Sequence, residues 1–238
     1  MLVVKGRVVT MAYVLESLPK RRARAIKIIE LLRQATKDMS APASVHVVNE
    51  FGRDPYLILV ACVLSLRTKD TVSFPASQRL FSLAKTPLAM VKLEPSAIEK
   101  VIYPVGFYRR KAQQIQALSN MLLEQFAGKV PREEEKLLSL PGVGRKTANL
   151  VRGVAFGIPA LCVDTHVHRI SNLLGLVKTK TPEETEMALA EFLPKKYWIE
   201  YNTLLVVWGQ NVCVPITPLC SQCPLSPLCP KVGVTKRR

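Results

Sequence analysis

The sequence has no apolar run of membrane-spanning length near its start. The longest there is Val8-Val-Thr-Met-Ala-Tyr-Val-Leu15, far short of the roughly 18 to 20 residues a span requires. No small-residue cleavage pattern follows it, so it does not read as a secretory leader. Acidic residues are scarce: 18 Asp and Glu stand against 34 Lys and Arg, a formal charge of +16. That balance suits a polyanionic partner, either nucleic acid or an anionic membrane surface, and charge alone does not choose between them. Cysteines are nearly absent before residue 213, where only Cys62 and Cys162 occur, each alone in an apolar run. A framework of evenly spread disulfides is therefore not expected, which points to an intracellular chain. Alternating strand patterns, internal repeats and low-complexity tracts are also missing between residues 15 and 212, so the fold class expected is all-α.

What is present is helical periodicity over an ample core, since 48% of the 238 residues are apolar. One large domain or two intimately packed ones are expected. Residues 1–14 carry a Val-rich piece that reads as a short strand or a frayed tail, without a function. From Pro19, Ala25, Ile28, Ile29 and Leu32 share one face, while Lys20, Arg21, Arg22, Arg24 and Lys27 lie largely on others, either as a solvated face or as peripheral phosphate contacts. Asp54-Pro55 caps a helix, Tyr56 to Leu66, that is apolar nearly all round and must be buried. Its exit, Ser65-Leu-Arg-Thr-Lys-Asp70, turns polar. Thr86-Pro87 opens another helix, and Ser96-Ala-Ile-Glu99 reads as a capping box before a short one. Pro104-Val-Gly-Phe-Tyr108 interrupts, then Ala112, Ile115, Leu118, Leu122 and Phe126 form one face of a helix stopped by Gly128. Thr181-Pro-Glu-Glu184 starts a helix near Pro182, and a last one spans about Lys196 to Val212.

The chemistry concentrates in Leu140-Pro-Gly-Val-Gly-Arg-Lys-Thr147 and Val163-Asp-Thr-His166. Pro141 and two glycines break a helical stretch over Glu133–Ser139, and a new helix runs from Arg145 toward Phe156. Gly142 and Gly144 can adopt positive φ and carry no Cβ. The backbone N–H groups at the second helix's N-terminus can thus approach a phosphate. The longer spacing of a nucleotide-binding loop, G-x-x-x-x-G-K-[ST], is absent. Lys146 falls in the first turn of the new helix, where the dipole and partial burial disfavour an ammonium, so a lowered pKa is expected. Such lowering makes a lysine nucleophilic. Asp164 reads as the N-cap of a helix from Thr165 to Leu174, with Gly175 past its end, which would hold an ionised carboxylate in place. Taken singly, Lys146 also reads as a surface lysine and Asp164 as a plain cap.

Near the end, Cys213, Cys220, Cys223 and Cys229 are spaced C-x6-C-x2-C-x5-C among Pro215, Pro218, Pro224, Pro227 and Pro230, which keep the segment irregular. Four thiolates on such a loop suit a metal centre. Zinc usually takes two close cysteine pairs and only one is present, so an iron–sulfur cluster fits the spacing better, with zinc and free thiols or disulfides as the alternatives.

The segments LPGVGRKTANLV and VDTHVHR together closely resemble the helix-hairpin-helix and catalytic segment of the endonuclease III family of DNA base-excision glycosylases. The resemblance keeps its register from Arg67 to the last cysteine and covers about residues 45 to 230. It implies a two-domain all-α helix-hairpin-helix glycosylase fold. A six-helix domain over residues 46–158 would carry the hairpin; residues 1–45 and 159–238 would form a cluster domain from both termini. By the same resemblance Lys146 is the Schiff-base lysine, Asp164 the essential carboxylate, and the four cysteines ligands of a [4Fe–4S] cluster with a structural role. DNA contacts would come from Leu140, Gly142, Val143, Gly144, Arg145 and Thr147 of the hairpin. Arg67 would lie in the loop that fills the gap left by an extruded base, where many members carry Gln, and Phe107 would be the intercalating wedge. His166 would lie near the lesion pocket, with a helix-surface histidine as the alternative. The loop Val214–Leu219, basic in many relatives, is uncharged here, which leaves Lys231 and the Lys236-Arg-Arg238 tail to supply that contact. The implied activity is a bifunctional DNA glycosylase and AP lyase acting on double-stranded DNA that contains oxidised pyrimidines or abasic sites. A monomer is expected, cytoplasmic and nucleoid-associated if the chain is prokaryotic, with no membrane partner and no soluble cofactor. Two alternatives differ from it: a mismatch glycosylase for thymine or adenine, disfavoured by Lys146, and a non-enzymatic hairpin DNA-binding module, which would have no reason for a Lys–Asp pair.

Overall fold

The structure is a computed structural model that describes residues 16–238 throughout and, before them, only the antiparallel backbone pairing of β1 (Val3–Val4) with β2 (Arg7–Val8). The readings of residues 1–14 otherwise lie outside the described residues. The remainder is helical: α1 (Leu18–Ala35), α2 (Ala43–Phe51), α3 (Pro55–Ser65), α4 (Asp70–Leu83), α5 (Pro87–Met90), α6 (Pro95–Ile102), α7 (Tyr108–Phe126), α8 (Glu134–Leu138), α9 (Arg145–Phe156), α10 (Thr165–Leu173), α11 (Pro182–Ala190) and α12 (Trp198–Asn211). Among the described residues no helix is long and apolar enough to cross a membrane.

Two apolar cores organise these helices. The first gathers α3, apolar on every side, with Phe81 and Leu80 of α4, Ile98 of α6, the Ile115–Leu118–Leu122 stripe of α7, and Leu140, Val143, Ala148 and Val151 around the hairpin. Burying so much apolar surface is the main force that assembles it. The second joins Ala25, Ile28, Ile29 and Leu32 of α1 to α10, α12 and Leu225, so segments far apart in sequence close on each other. The chain passes from one core to the other through residues 158–164.

Local chemistry sets most boundaries. Asp54 accepts the N–H groups of Tyr56 and Leu57 at 2.8 and 3.0 Å, Thr86 that of Ala89, and Thr181 that of Glu184. The capping box expected at Ser96 does not form: α6 begins at Pro95, one residue earlier, after an N-cap at Glu94 with no side-chain bond. Proline at the first helical position has φ preset and no N–H to satisfy, which moves the start upstream. Helix α4 runs against local preference, with Pro75 inside it. Burial of Ala76, Ser77, Leu80 and Phe81 in the first core overrides that preference.

The arginines in the basic run of α1 are hydrogen-bonded within the protein, although Arg22 remains exposed. Arg24 donates to the carbonyls of Leu174, Gly175 and Leu228 and pairs with Glu16. Arg21 donates to Leu176 and Arg22 to Phe192. Except for Leu228, which lies in the C-terminal segment, these carbonyls stand just past the ends of α10 and α11, where unsatisfied oxygens and the negative end of the helix dipole favour cations. The guanidinium groups thereby fasten α1 to the second core. Replacing Arg24→Met should lower unfolding free energy by about 2 to 3 kcal/mol, since charged hydrogen bonds would leave buried acceptors behind; denaturant titration reads this directly, and a loss below about 0.5 kcal/mol, the range of a bland surface change, contradicts the clamp.

Candidate active site

Helix α8 ends at Leu138, the chain turns through Leu140 to Gly144, and α9 starts at Arg145. Gly142 has φ +79, and a Cβ there would fall 2.9 Å from the Gln114 side chain of α7. The turn therefore needs glycine at 142 for its backbone; Gly144, by contrast, has φ -102 and open space where a Cβ would sit. The side chains of Leu140, Val143 and Thr147 point into the protein and are buried. At the surface of the turn they therefore shape the backbone and present no groups of their own. The N-terminus of α9 has no side-chain cap, and among the described residues no acceptor takes the N–H of Arg145 or Lys146. This is the geometry an anion meets at a helix N-terminus. The Arg145 side chain is engaged elsewhere: its guanidinium forms a bidentate pair with Glu186 of α11 at 2.8 and 3.0 Å.

Lys146 and Asp164 come together across the junction between the two cores. The Lys146 Nζ lies 3.9 Å from Asp164 Oδ2, with side chains 47% and 9% exposed. The partial burial expected for the lysine is slight, so its amine faces an open cleft. Asp164 caps α10, its Oδ1 accepting the Val167 N–H at 2.8 Å. One carboxylate oxygen thus fixes the group while the other faces the lysine. Asn149 of α9 donates to Leu161 O and to Glu186, and Asn202 of α12 donates to Cys162 O, holding the strand-like approach to Asp164 against both neighbouring helices.

The cleft above the pair has a volume of about 790 Å³ counting its open mouth, and Arg67, Asp70, His166 and Gln210 line it with Lys146 and Asp164. Arg67 is exposed with φ 51, and Phe107 is 62% exposed with φ 57, the two stacked with the guanidinium 5.9 Å from the ring centroid. His166 is not on a helix surface. Its ring sits over Gly209, where a Cβ would fall 2.2 Å from Nδ1, and that nitrogen is buried without a partner. Burial lowers the His166 pKa below its ordinary value, partly opposed by Asp164.

Sequence reasoning missed Asp70, which accepts from Ala43 N and Gln210 Nε2 and joins α2, α4 and α12 beneath the cleft. A lone acidic residue in a basic exit loop was the available signal. It also missed Lys111, which occupies the apolar stripe of α7 one turn before Ile115 and is buried there.

The four C-terminal cysteines are free thiols that line one cavity of about 430 Å³ with Ile170, Leu174, Trp208 and Leu225. Burial pushes the thiols of Cys213, Cys223 and Cys229 up, so ionising all of them requires a cationic partner. N–H donors are already aimed at the sulfurs: Arg169 at Cys213, the Trp208 indole and Leu225 backbone at Cys223, and the Lys231 backbone at Cys229. Among the described residues no three His, Cys, Asp or Glu side chains converge closely enough for a single ion.

Residues 60–195 match the HhH-GPD superfamily of base excision DNA repair proteins, the class that a glycine hairpin followed by a capped aspartate defines. The chain is 49% identical over 189 residues to endonuclease III of Thermotoga maritima, covering 77% of this chain and 89% of that one. A solved endonuclease III in non-covalent complex with DNA superposes with a TM-score of 0.79 at 34% identity, over 88% of this chain and 95% of the other. A thermostable thymine-DNA glycosylase gives 0.78 at 27% identity, over 91% and 98%. The chain belongs to the endonuclease III family. It is accordingly a base excision repair DNA glycosylase and AP lyase.

The shifted histidine makes a pH prediction. Below the ordinary His pKa of about 6.5 the unfolded chain takes up a proton that folded His166 resists, so its stabilising contribution falls as pH drops through that window. Denaturant titrations at neutral and mildly acidic pH should show wild type losing more stability on acidification than His166→Gln; equal losses contradict the buried neutral ring.

Proposed function

We propose that the cleft takes an oxidised pyrimidine extruded from duplex DNA, with Lys146 as nucleophile and Asp164 as its electrostatic partner. The observation that carries this is the 3.9 Å approach of the two groups at the floor of an open cleft. The Lys146 ammonium first gives a proton to water in the open cleft; the amine lone pair then attacks C1′ of the sugar, and the bond from C1′ to the base breaks with the electron pair leaving on the base, which takes up a proton from water. Asp164 stabilises the positive charge that develops at the sugar and accompanies the ammonium before reaction. Proton loss from nitrogen and ring opening give an imine, which acidifies the C2′ proton. Its removal expels the 3′ phosphate by β-elimination, and water then frees the lysine. Phosphates would be held by the N–H groups at the start of α9, and the gap in the duplex would be filled by Arg67 and Phe107.

A mismatch glycosylase would share the fold, and the similarity to a thymine-DNA glycosylase keeps it in view. The exposed lysine beside the aspartate favours the lyase. Reduction with borohydride during reaction on abasic or oxidised-pyrimidine duplexes should yield a covalent protein–DNA adduct with wild type and none with Lys146→Gln. No adduct with wild type, or equal trapping by the variant, sinks the assignment.

The same reading makes residues 46–158 one domain and both termini the other, each around its own core, with the chain acting as an intracellular monomer on damaged duplex DNA. The cysteine cavity would hold a [4Fe–4S] cluster. The fit rests on four cysteines lining one apolar cavity, with donors aimed at the sulfurs of Cys213, Cys223 and Cys229. The cluster would supply cross-linking between α12 and the terminal loop, and no reaction step passes through it. Purified protein should be brown with iron and sulfide in equal amounts. Cys223→Ala should lose the colour and most of its stability; colourless wild type carrying zinc contradicts the cluster.

A further inference from the structure

Lys111 is an anomaly that the chemistry at Lys146 does not use. It sits in the apolar stripe of α7 and is only 4% exposed. Its ammonium donates to Leu64 O at 2.8 Å, to Leu66 O, and to Thr68 Oγ1 at 3.0 Å, so all three N–H groups are satisfied. Leu64 and Leu66 stand at the end of α3, where carbonyls lose their helical partners and the dipole favours a cation. Burial pulls the ammonium down to about 8, which leaves it charged at neutral pH.

The hydroxyl of Thr68 is saturated in the same cluster. It donates to Leu66 O at 3.2 Å and accepts from Lys111 and from the Gly106 N–H at 3.1 Å. Lys111 and Thr68 therefore bind the residues on both sides of Arg67, and Thr68 binds the residue before Phe107. Arg67 and Phe107 both hold left-handed backbones without being glycine, a conformation that persists only where surrounding contacts enforce it. The enforcing contacts here converge on one ammonium and one hydroxyl.

We propose that Lys111 is the positioning residue of a paired probe, Arg67 with Phe107, through which the enzyme engages the unpaired base opposite the lesion. This deepens the proposed function and rests on it. The ammonium touches neither lesion nor sugar. It locks two turns, from α3 and from the start of α7, so that a guanidinium and an aromatic ring leave the surface as one rigid unit. Arginine offers only donors and phenylalanine only an apolar face, so the probe addresses acceptor atoms of the orphan base and the neighbouring stack. Loss of the lock would release Arg67 to relax toward a right-handed turn and swing away from the opposite strand.

The test compares strand cleavage at an abasic site in a duplex, where an opposite base exists, with cleavage at the same site in a single strand, where none does. Lys111→Met keeps the unbranched stem and removes the ammonium. The ratio of duplex to single-strand kcat/KM should fall about tenfold or more, as expected when a positioning contact is lost, and Thr68→Val should lower it in the same direction by about threefold. A KM-against-kcat split on the duplex should place most of the loss in kcat, because phosphate contacts remain. Thermal melting establishes that each variant folds; if Lys111→Met does not, Thr68→Val decides. An unchanged ratio, or equal losses on both substrates, overturns the role of Lys111 and reduces it to support of the fold. The two readings fail separately: no borohydride adduct with wild type sinks the activity and this role with it, whereas an adduct with an unchanged ratio sinks this role alone.

Discussion

A carboxylate held at the N-terminus of α10 facing an amine in the first turn of α9 is the contact on which the rest of the molecule depends. Neither group is positioned by its own core alone. Lys146 is carried by a helix rooted in the first core and Asp164 by one rooted in the second. Their separation is therefore a readout of how the two cores are joined. Arg145 with Glu186 and Asn149 with Leu161 O cross the same junction and limit its freedom, while Asn202 holds Cys162 O from the second core. Bringing the amine and the carboxylate together from two separate cores leaves the cleft above them open, wide enough to admit part of a large polymer.

The excess of positive charge divides into two kinds. The arginines at 21, 22 and 24 are internal fasteners that satisfy helix-end carbonyls, and Lys111 does the same at the end of α3. Further arginines are paired within the protein, Arg33 with Glu200, Arg145 with Glu186 and Arg152 with Glu134; the exposed basic side chains left over form the field a polyanion meets. Net charge from composition thus overstates the surface available to DNA. It still gives the sign of the partner.

Much of this was legible because local chemistry and tertiary need agree. The hairpin glycines, the Asp54 and Thr181 caps, the Asp164 cap and the α7 stripe all follow from spacing, and the structure has them where spacing puts them. Illegible were the elements decided by distant partners. Helix α4 forms around Pro75 because Phe81 and Leu80 find the first core, which no local rule contains. The start of α6 moved because Pro95 outweighed a serine. The basic face of α1 could not be read correctly without knowing which carbonyls lay opposite it. Lys111 was visible in principle, as a charge on an apolar stripe, but its meaning required the α3 exit to be beside it.

If Lys146 is the nucleophile, no other amine in the cleft forms the covalent link to the sugar. Peptide mapping of the borohydride-reduced adduct formed with abasic DNA decides this. A single modified peptide whose altered lysine is Lys146 is expected; modification at Lys69, at Lys111 or at the chain's N-terminal amine would overturn the assignment.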